Sequence, residues 1–218
     1  MTHHLYLYSE VNDEVVEDLI REIHAINEEF LDKADEVYNY VNSQINKGTI
    51  QYTGDLFLEN PKDEEILLHI NSGGGYVSSG LALINAIKSS EIPINTVVDG
   101  QCLSMAFIIF ICGNYRYCYK SSTFMHHPTS YMINGSFNQH KTELMHAEKL
   151  NYIVDNIIEE NTLLDRKYLD EVSSEVYWYG YEDTVYDEGI VDCVIDKDVI
   201  DAKFDKDCEL CKNCEGDC

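Results

Sequence analysis

A single serine stands where a mixed stretch of the chain turns into a fully apolar one. Ser104 is followed by residues 105–112, in which every side chain is apolar or a thiol. A serine at a strand-to-helix turn can present its hydroxyl to a cleft while the helix behind it is buried. This is the position of a nucleophile, although a serine before a buried helix can also be a simple N-cap.

A glycine run precedes this serine in the chain. Gly73, Gly74 and Gly75 follow the apolar stretch 66–70. Without side chains, backbone N–H groups can approach a ligand closely and hold an oxyanion. The run could also cradle a phosphate, but it lacks the Gly-Lys-Ser/Thr sequence of a P-loop.

Two adjacent histidines, His126 and His127, lie shortly after the serine and are followed by Pro128. Either imidazole can act as the general base that a serine nucleophile needs. Neighbouring residues on a strand point to opposite faces, so we expect only one of them to reach Ser104.

Composition excludes several classes of protein. The 218 residues carry 40 acidic and 15 basic side chains, a net charge of −25, which argues against binding to nucleic acid or an anionic membrane. The first residues lack the features of a signal peptide, and no apolar run is long enough to span a membrane. Four dispersed cysteines are expected to be small buried hydrophobes in a reducing cytoplasm: Cys102, Cys112, Cys118 and Cys193.

Strand and helix patterns alternate along the chain, which predicts an α/β fold with parallel strands. Strands are predicted at 5–8, 66–70, 94–98, 115–119 and 124–125, and helices at 13–30, around 81–87, after Ser104 and at 137–161. The polar stretch 31–65 is predicted to be a helix plus a surface loop.

The strand, glycine loop, helix, strand, serine and histidine follow the order and spacing of the Clp-type serine proteases, the ClpP family. The resemblance covers residues 6–192. It implies a ClpP/crotonase-type fold of repeated β-β-α units with a parallel sheet and a protruding handle helix. It also implies a protease domain at 1–195, with 31–65 as an insertion and 196–218 as an acidic cysteine-rich tail.

The resemblance assigns roles to individual residues. Ser104 would be the nucleophile, and the backbone amides of Gly75 and Met105 would form the oxyanion hole. An alignment without gaps places His127 on the family's histidine, which we prefer, whereas the His-x-Pro order selects His126.

The third member of the catalytic triad departs from the family. Counting back from residues 189–192, Tyr177 stands where the family carries aspartate. A tyrosine hydroxyl can fix the imidazole tautomer but cannot stabilise imidazolium as a carboxylate does. Glu175 or Asp170 would substitute if the alignment is shifted by a few residues.

The implied function is a cytoplasmic serine endopeptidase subunit that cleaves unfolded polypeptides inside a heptameric ring or double ring. An AAA+ ATPase would deliver the substrate, although the short N-terminus leaves little room for the family's docking loops. The alternatives are a non-catalytic structural subunit of a mixed ring, which the missing aspartate favours, and a crotonase-type enzyme acting on acyl-CoA.

The C-terminal tail contains four cysteines that the resemblance does not cover: Cys208, Cys211, Cys214 and Cys218. Their spacing can hold a soft metal such as zinc, and it superficially matches an iron–sulfur cluster run. A solvated reducible tail is the alternative. The implied peptidase chemistry requires no cofactor.

Overall fold

The computed structural model describes residues 1–47, 64–130, 132–172, 176–179 and 188–195. Seven strands and five helices are formed within this part of the chain. In chain order they are β1 (Thr2–Leu7), α1 (Asp13–Asn46), β2 (Glu65–Ser72), α2 (Val77–Lys88), β3 (Ile94–Leu103), α3 (Met105–Phe110), β4 (Arg116–Tyr119), β5 (Thr123–His126), α4 (Phe137–Asn161), α5 (Arg166–Val172), β6 (Tyr177–Tyr179) and β7 (Cys193–Ile195).

The strands form one mostly parallel sheet, in which β1, β2, β3, β4 and β7 lie side by side in that order. Strand β3 is long enough to take two partners on one edge. Its first part pairs with β4 and its last part, residues 101–103, pairs with β5. Strand β6 then adds to β5 in the antiparallel direction. The end of β3 is thereby placed beside β5, and the alternation of strands and helices is confirmed.

The main core lies between the sheet and helices α1, α2 and α3. Side chains that alternate along the strands, such as Leu68 and Ile70 of β2, pack against Leu19 and Ile23 of α1 and the fully buried α3. The opposite face of the sheet carries a smaller apolar cluster around Leu67. The four dispersed cysteines form no disulfide and are buried, as the sequence predicts.

Helix α1 is longer than predicted. Asn12 caps its N-terminus by accepting a hydrogen bond from the N–H of Val15, and acidic Asp13 and Glu14 occupy the first turn, where they favour the helix dipole. The buried positions of α1 end at Phe30, yet the helix continues to Asn46. The predicted inserted helix is therefore a continuation of α1, and the predicted loop falls mostly at 48–63, outside the described residues.

Helix α4 has the predicted bounds and protrudes at its N-terminal end. A capping box between Ser136 and Gln139 fixes that end. Its buried residues all lie in the C-terminal two thirds, beginning at Ala147, whereas Phe137 is 83% exposed. This matches the handle helix expected from the sequence.

Candidate active site

Ser104 occupies a sharp turn between β3 and α3. It is the only non-glycine residue of the described chain with a positive φ, at φ 55° and ψ −124°. Such a conformation costs about 1–3 kcal/mol and persists only where the surroundings enforce it. The N–H of Ser104 donates to the carbonyl of Met125 at 2.7 Å, and its hydroxyl makes no capping bond to α3. The side chain is therefore left available for chemistry.

The glycine loop after β2 packs directly against this turn. Gly74 has a φ of +90°, and a Cβ added there would lie 2.7 Å from Cβ of Ser104 and 3.0 Å from the nitrogen of Met105. Only glycine permits so close an approach. The structure thus brings together two predicted parts of the site that are distant in the sequence, the glycine run and Ser104.

The segment before α1 holds the glycine loop in place. The N–H of Val11 donates to the carbonyl of Gly74 at 2.8 Å, and the carbonyl of Val11 accepts from the N–H of Tyr76 at 2.7 Å. A Cβ on Gly75 would lie only 2.2 Å from the oxygen of Val11. The sequence carries no signal for this contact, because Val11 belongs to neither a motif nor a periodic element.

Two backbone donors face the space beside Ser104. Met105 is the first residue of α3, so its N–H has no partner within the helix. In the described part of the chain, neither this N–H nor that of Gly75 donates to a backbone carbonyl. Both residues line one small cleft together with Ser104. The two amides are available to an oxyanion formed there.

The cleft has a volume of about 60 Å³, and both candidate histidines line it. The lining includes apolar side chains from three helices: Val77, Ile108 and Val154. Sequence reasoning did not find these three, since each belongs to the ordinary apolar face of its helix.

His126 is the more enclosed histidine. It ends β5, is only 7% exposed, and its ring centroid lies 6.2 Å from that of Phe107 on α3. Because Leu103 pairs with Met125, the next residues of the two parallel strands, Ser104 and His126, lie side by side. Burial, and secondarily the neighbouring His127, lowers the pKa of His126 to about 4. Its imidazole is therefore neutral at physiological pH, as a general base must be.

His127 is half-buried at the edge of the same cleft. Its Nδ1 lies 2.6 Å from the carbonyl oxygen of Pro128. A carbonyl can only accept, so Nδ1 carries the proton and is occupied by the backbone. Only Nε2 of His127 remains for a ligand.

The model of the Clp protease family matches residues 51–198 of this chain. The chain belongs to the Clp protease family. Over 79 residues it is 37% identical to an ATP-dependent Clp protease proteolytic subunit of Carsonella ruddii (strain PV). That alignment covers 35% of this chain and 41% of the relative, so less than half of the relative's length is matched.

Comparison with solved structures supports the same fold. A mutant of ClpP1 from Listeria monocytogenes superposes with a TM-score of 0.68 at 17% sequence identity. The match covers 90% of this chain and 93% of the other. The predicted ClpP-type fold is confirmed. No helix in the described ranges is both long and apolar enough to cross a membrane.

The residue facing the histidine in this member of the Clp protease family is Tyr177. Strand β6 pairs with β5 so that Tyr177 lies directly opposite His126. Directly opposed residues share one face of a sheet, with Cβ atoms about 4.5–5.5 Å apart. The ring of Tyr177 packs on that of Tyr168, with centroids 5.9 Å apart. A tyrosine thus stands where a third triad member could reach the imidazole.

Of the other two candidates for the third member, the structure describes only Asp170. Asp170 belongs to α5, where its charge contributes to raising the pKa of Asp155, a shift that is mainly due to burial. Glu175 and the tail cysteines 208–218 lie outside the described residues. Within the described residues, no group of histidine, cysteine or acidic side chains is placed to hold a metal ion.

Proposed function

We propose that this protein is a serine endopeptidase subunit with Ser104 as its nucleophile. The observation that carries the proposal is the contact between Gly74 and the Ser104 turn. In this arrangement the amides of Gly75 and Met105, which donate to no backbone carbonyl in the described part of the chain, line the same cleft as a half-buried serine in a strained backbone conformation. Membership of the Clp protease family supports the same chemistry.

The reaction follows from these groups. His126 accepts the hydroxyl proton of Ser104 while Oγ forms a bond to the carbonyl carbon of the substrate. The electron pair of the carbonyl moves to its oxygen, where two N–H donors stabilise the charge. The C–N bond then breaks, and His126 returns its proton to the departing amine. Water hydrolyses the resulting acyl ester by the same steps, with Ser104 regaining its proton.

His126 is the base in this proposal, rather than the His127 that the ungapped alignment favours. Two observations support the change. His126 lies next to Ser104 in the strand register, and it faces Tyr177. In contrast, Nδ1 of His127 is bound by the carbonyl of Pro128, so neither a carboxylate nor a phenol can take the orienting position at this ring.

Tyr177 would take the orienting role of the absent aspartate. Its hydroxyl can accept the imidazole N–H and select the tautomer, but it carries no charge to stabilise the imidazolium. Replacing the triad aspartate by a neutral residue in the well-studied serine-protease template lowers kcat about 10⁴-fold. The expected activity towards peptides is therefore low.

The family supports a ring-shaped assembly and an ATPase partner as further parts of the proposal. The curated relative is named an ATP-dependent proteolytic subunit. We propose that unfolded polypeptides are cleaved in the cytoplasm within a heptameric ring or double ring served by an AAA+ ATPase. Zinc binding by cysteines 208, 211, 214 and 218 stays a prediction, which metal analysis of the full chain tests.

A non-catalytic subunit of a mixed ring is the second candidate. The observation that favours it is the pairing of His126 with Tyr177 instead of a carboxylate. A serine whose histidine lacks an acid can be retained for structural reasons alone, and such a subunit would shape the ring without cleaving substrate.

Labelling by a fluorophosphonate separates the two candidates. The assembled protein should take up one label per chain, and Ser104→Ala should abolish both labelling and peptide cleavage. Ser89→Ala is the control, because Ser89 is exposed at the end of α2, far along the chain from the cleft. Cleavage by Ser104→Ala at the wild-type rate would overturn the assignment.

A further inference from the structure

The residues that line the cleft beside Ser104 are of two chemical kinds, called here the apolar wall and the polar wall. Val77, Ile108 and Val154 make up the apolar wall, and Ile108 and Val154 are themselves buried. The segment that follows β5 forms the polar wall, with His127, Thr129 and Ser130. No carboxylate, lysine or arginine is among the described residues that line the cleft. A side chain that enters it meets both hydrocarbon and hydrogen-bonding groups.

Hydrogen bonds that involve the backbone hold the residues of the polar wall in place. The N–H of Thr129 donates to Oδ1 of Asn151 on α4 at 2.8 Å, which ties the segment to a helix. Nδ1–H of His127 donates to the carbonyl of Pro128 at 2.6 Å. This bond selects the tautomer that carries its proton on Nδ1, in which Nε2 has a free lone pair and accepts a hydrogen bond.

The size of the cleft favours a small side chain. Its volume is about 60 Å³. A single water-sized sphere needs about 10–15 Å³ on this measure, so the cleft has room for a few non-hydrogen atoms. The side chain of threonine has three, and it combines a methyl group with a hydroxyl donor.

We infer that His127 determines specificity, accepting a hydrogen bond through Nε2 from a small hydroxyl-bearing side chain, threonine above all, at the residue whose carbonyl Ser104 attacks. The methyl group of threonine packs on the apolar wall, and its hydroxyl donates to His127. This inference rests on the proposed function, since it places the acyl residue of a substrate in the cleft. It gives the second histidine a role of its own beside the base.

The test uses two peptide p-nitrophenyl esters that are identical except for threonine or valine at the acyl residue. The two side chains have the same shape and differ in one hydroxyl donor. A site that binds a hydroxyl through one neutral hydrogen bond should favour the threonine ester by roughly two- to tenfold in kcat/KM. A leucine ester should react more slowly than the valine ester, because its side chain exceeds the cleft.

Two substitutions at position 127 form a matched pair. His127→Gln keeps an acceptor near the position of Nε2 and should keep the preference for threonine. His127→Asn keeps only a group near Nδ1 and should bring the ratio of the two esters to about one. Thermal unfolding of both variants shows whether the fold is intact. A preference that persists in His127→Asn, or a wild-type preference for valine or leucine, overturns the inference.

Two further outcomes separate this inference from the proposed function. If His127→Asn loses reaction with both esters as completely as Ser104→Ala does, His127 is the base and the inference is wrong. If no ester acylates the wild type, binding of the matching amides to Ser104→Ala decides. If the threonine amide binds more tightly and His127→Asn removes this preference, the role of His127 is sustained while the peptidase proposal fails. If both amides bind equally, the inference is overturned.

Discussion

Tyr177 lies directly opposite His126 in the antiparallel pairing of β5 and β6. Both side chains leave the same face of the sheet, on which Phe107 of α3 packs against His126 and Tyr179. The pair combines a buried neutral imidazole with a phenol. In the proposed mechanism this pair limits the rate of peptide hydrolysis, because a phenol instead of a carboxylate stands beside the base.

Tyr177→Asp should raise the rate of peptide hydrolysis. A carboxylate opposite His126 would stabilise the imidazolium that forms when Ser104 is deprotonated. We expect a gain of at least about tenfold in kcat for a peptide and a smaller gain for an activated ester, whose leaving group needs less protonation. Steady-state kinetics on both substrates measures this.

Trp178→Asp is the control for this change. Trp178 pairs with Met125 and leaves the sheet on the opposite face, so a carboxylate there should not act on His126. If Tyr177→Asp changes nothing while Asp170→Ala or Glu175→Ala removes activity, a neighbouring acid is the true third member. If none of these matters and the assembled protein is inactive, the structural-subunit proposal is the better one.

Substitution of the two histidines identifies the base. His126→Ala should remove nearly all the activity that Ser104→Ala removes, because members of one catalytic unit are not additive. His127→Ala should lose much less. Acylation rates with an activated ester give the ranking, and far-UV circular dichroism checks the fold. The reverse ranking would support the ungapped alignment and its choice of His127.

The pH dependence of acylation should follow His126. Its pKa is lowered to about 4, chiefly by burial, and the base acts only when neutral. Acylation by an activated ester should therefore stay constant from pH 8 to about pH 5 and fall below it. An unperturbed histidine would lose activity near pH 6.5. A pH–rate profile with its midpoint there would contradict the assignment of His126.

The same shift has a consequence for stability. The pKa of His126 is lower in the folded chain than in the unfolded chain, so below pH 6.5 the unfolded chain binds the additional proton. The contribution of His126 to the free energy of unfolding is fully present above pH 6.5 and is lost as the pH falls towards 4. The loss amounts to about 3 kcal/mol in all. His126→Gln should flatten this part of the unfolding curve, and an unchanged slope would show that other groups cause it.

Two neighbouring glycines provide a sharp test of the oxyanion hole. Gly74→Ala forces a Cβ to within 2.7 Å of Cβ of Ser104, at a backbone angle that alanine rarely adopts. Displacing one oxyanion donor costs about 10²–10³ in kcat, so we expect a loss of that order. Gly73→Ala is the matched control, since nothing lies within 4 Å of a Cβ there. Equal losses in both variants would disprove the role of the loop.

The elements that the sequence predicted best are those with a strong local pattern. The stripe of α4 has a period that only a helix satisfies, and the apolar run at 66–70 has the length of a strand and is followed closely by the glycine run. The extension of α1 beyond Phe30 was harder to predict. Residues 31–46 are mostly polar and none of them is fully buried, so periodicity gave no reason to extend the helix. Local hydrogen bonding continued it.

The candidate site was predictable as a set of residues but not as a geometry. The glycine run and Ser104 were identifiable from their types and spacing. The register that sets Ser104 beside His126 depends on pairing between β3 and β5, which no local pattern encodes. The hydrogen bonds between Val11 and the glycine loop likewise depend on a long-range contact alone.

Assembly should depend on the exposed face of α4. Phe137, Leu144, Met145 and Tyr152 are all exposed. The last three lie seven, eight and fifteen residues after Phe137, which places all four on one side of the helix, away from the buried Val154. Apolar side chains on one exposed helix face favour contact with another subunit.

Leu144→Asp should therefore shift the protein to smaller species in sedimentation velocity at micromolar concentration. Thr142→Asp adds the same charge at a position on another side of α4 and should leave the assembly intact. A wild-type monomer at moderate salt, or assembly unaffected by Leu144→Asp, would contradict a ring held together through this helix.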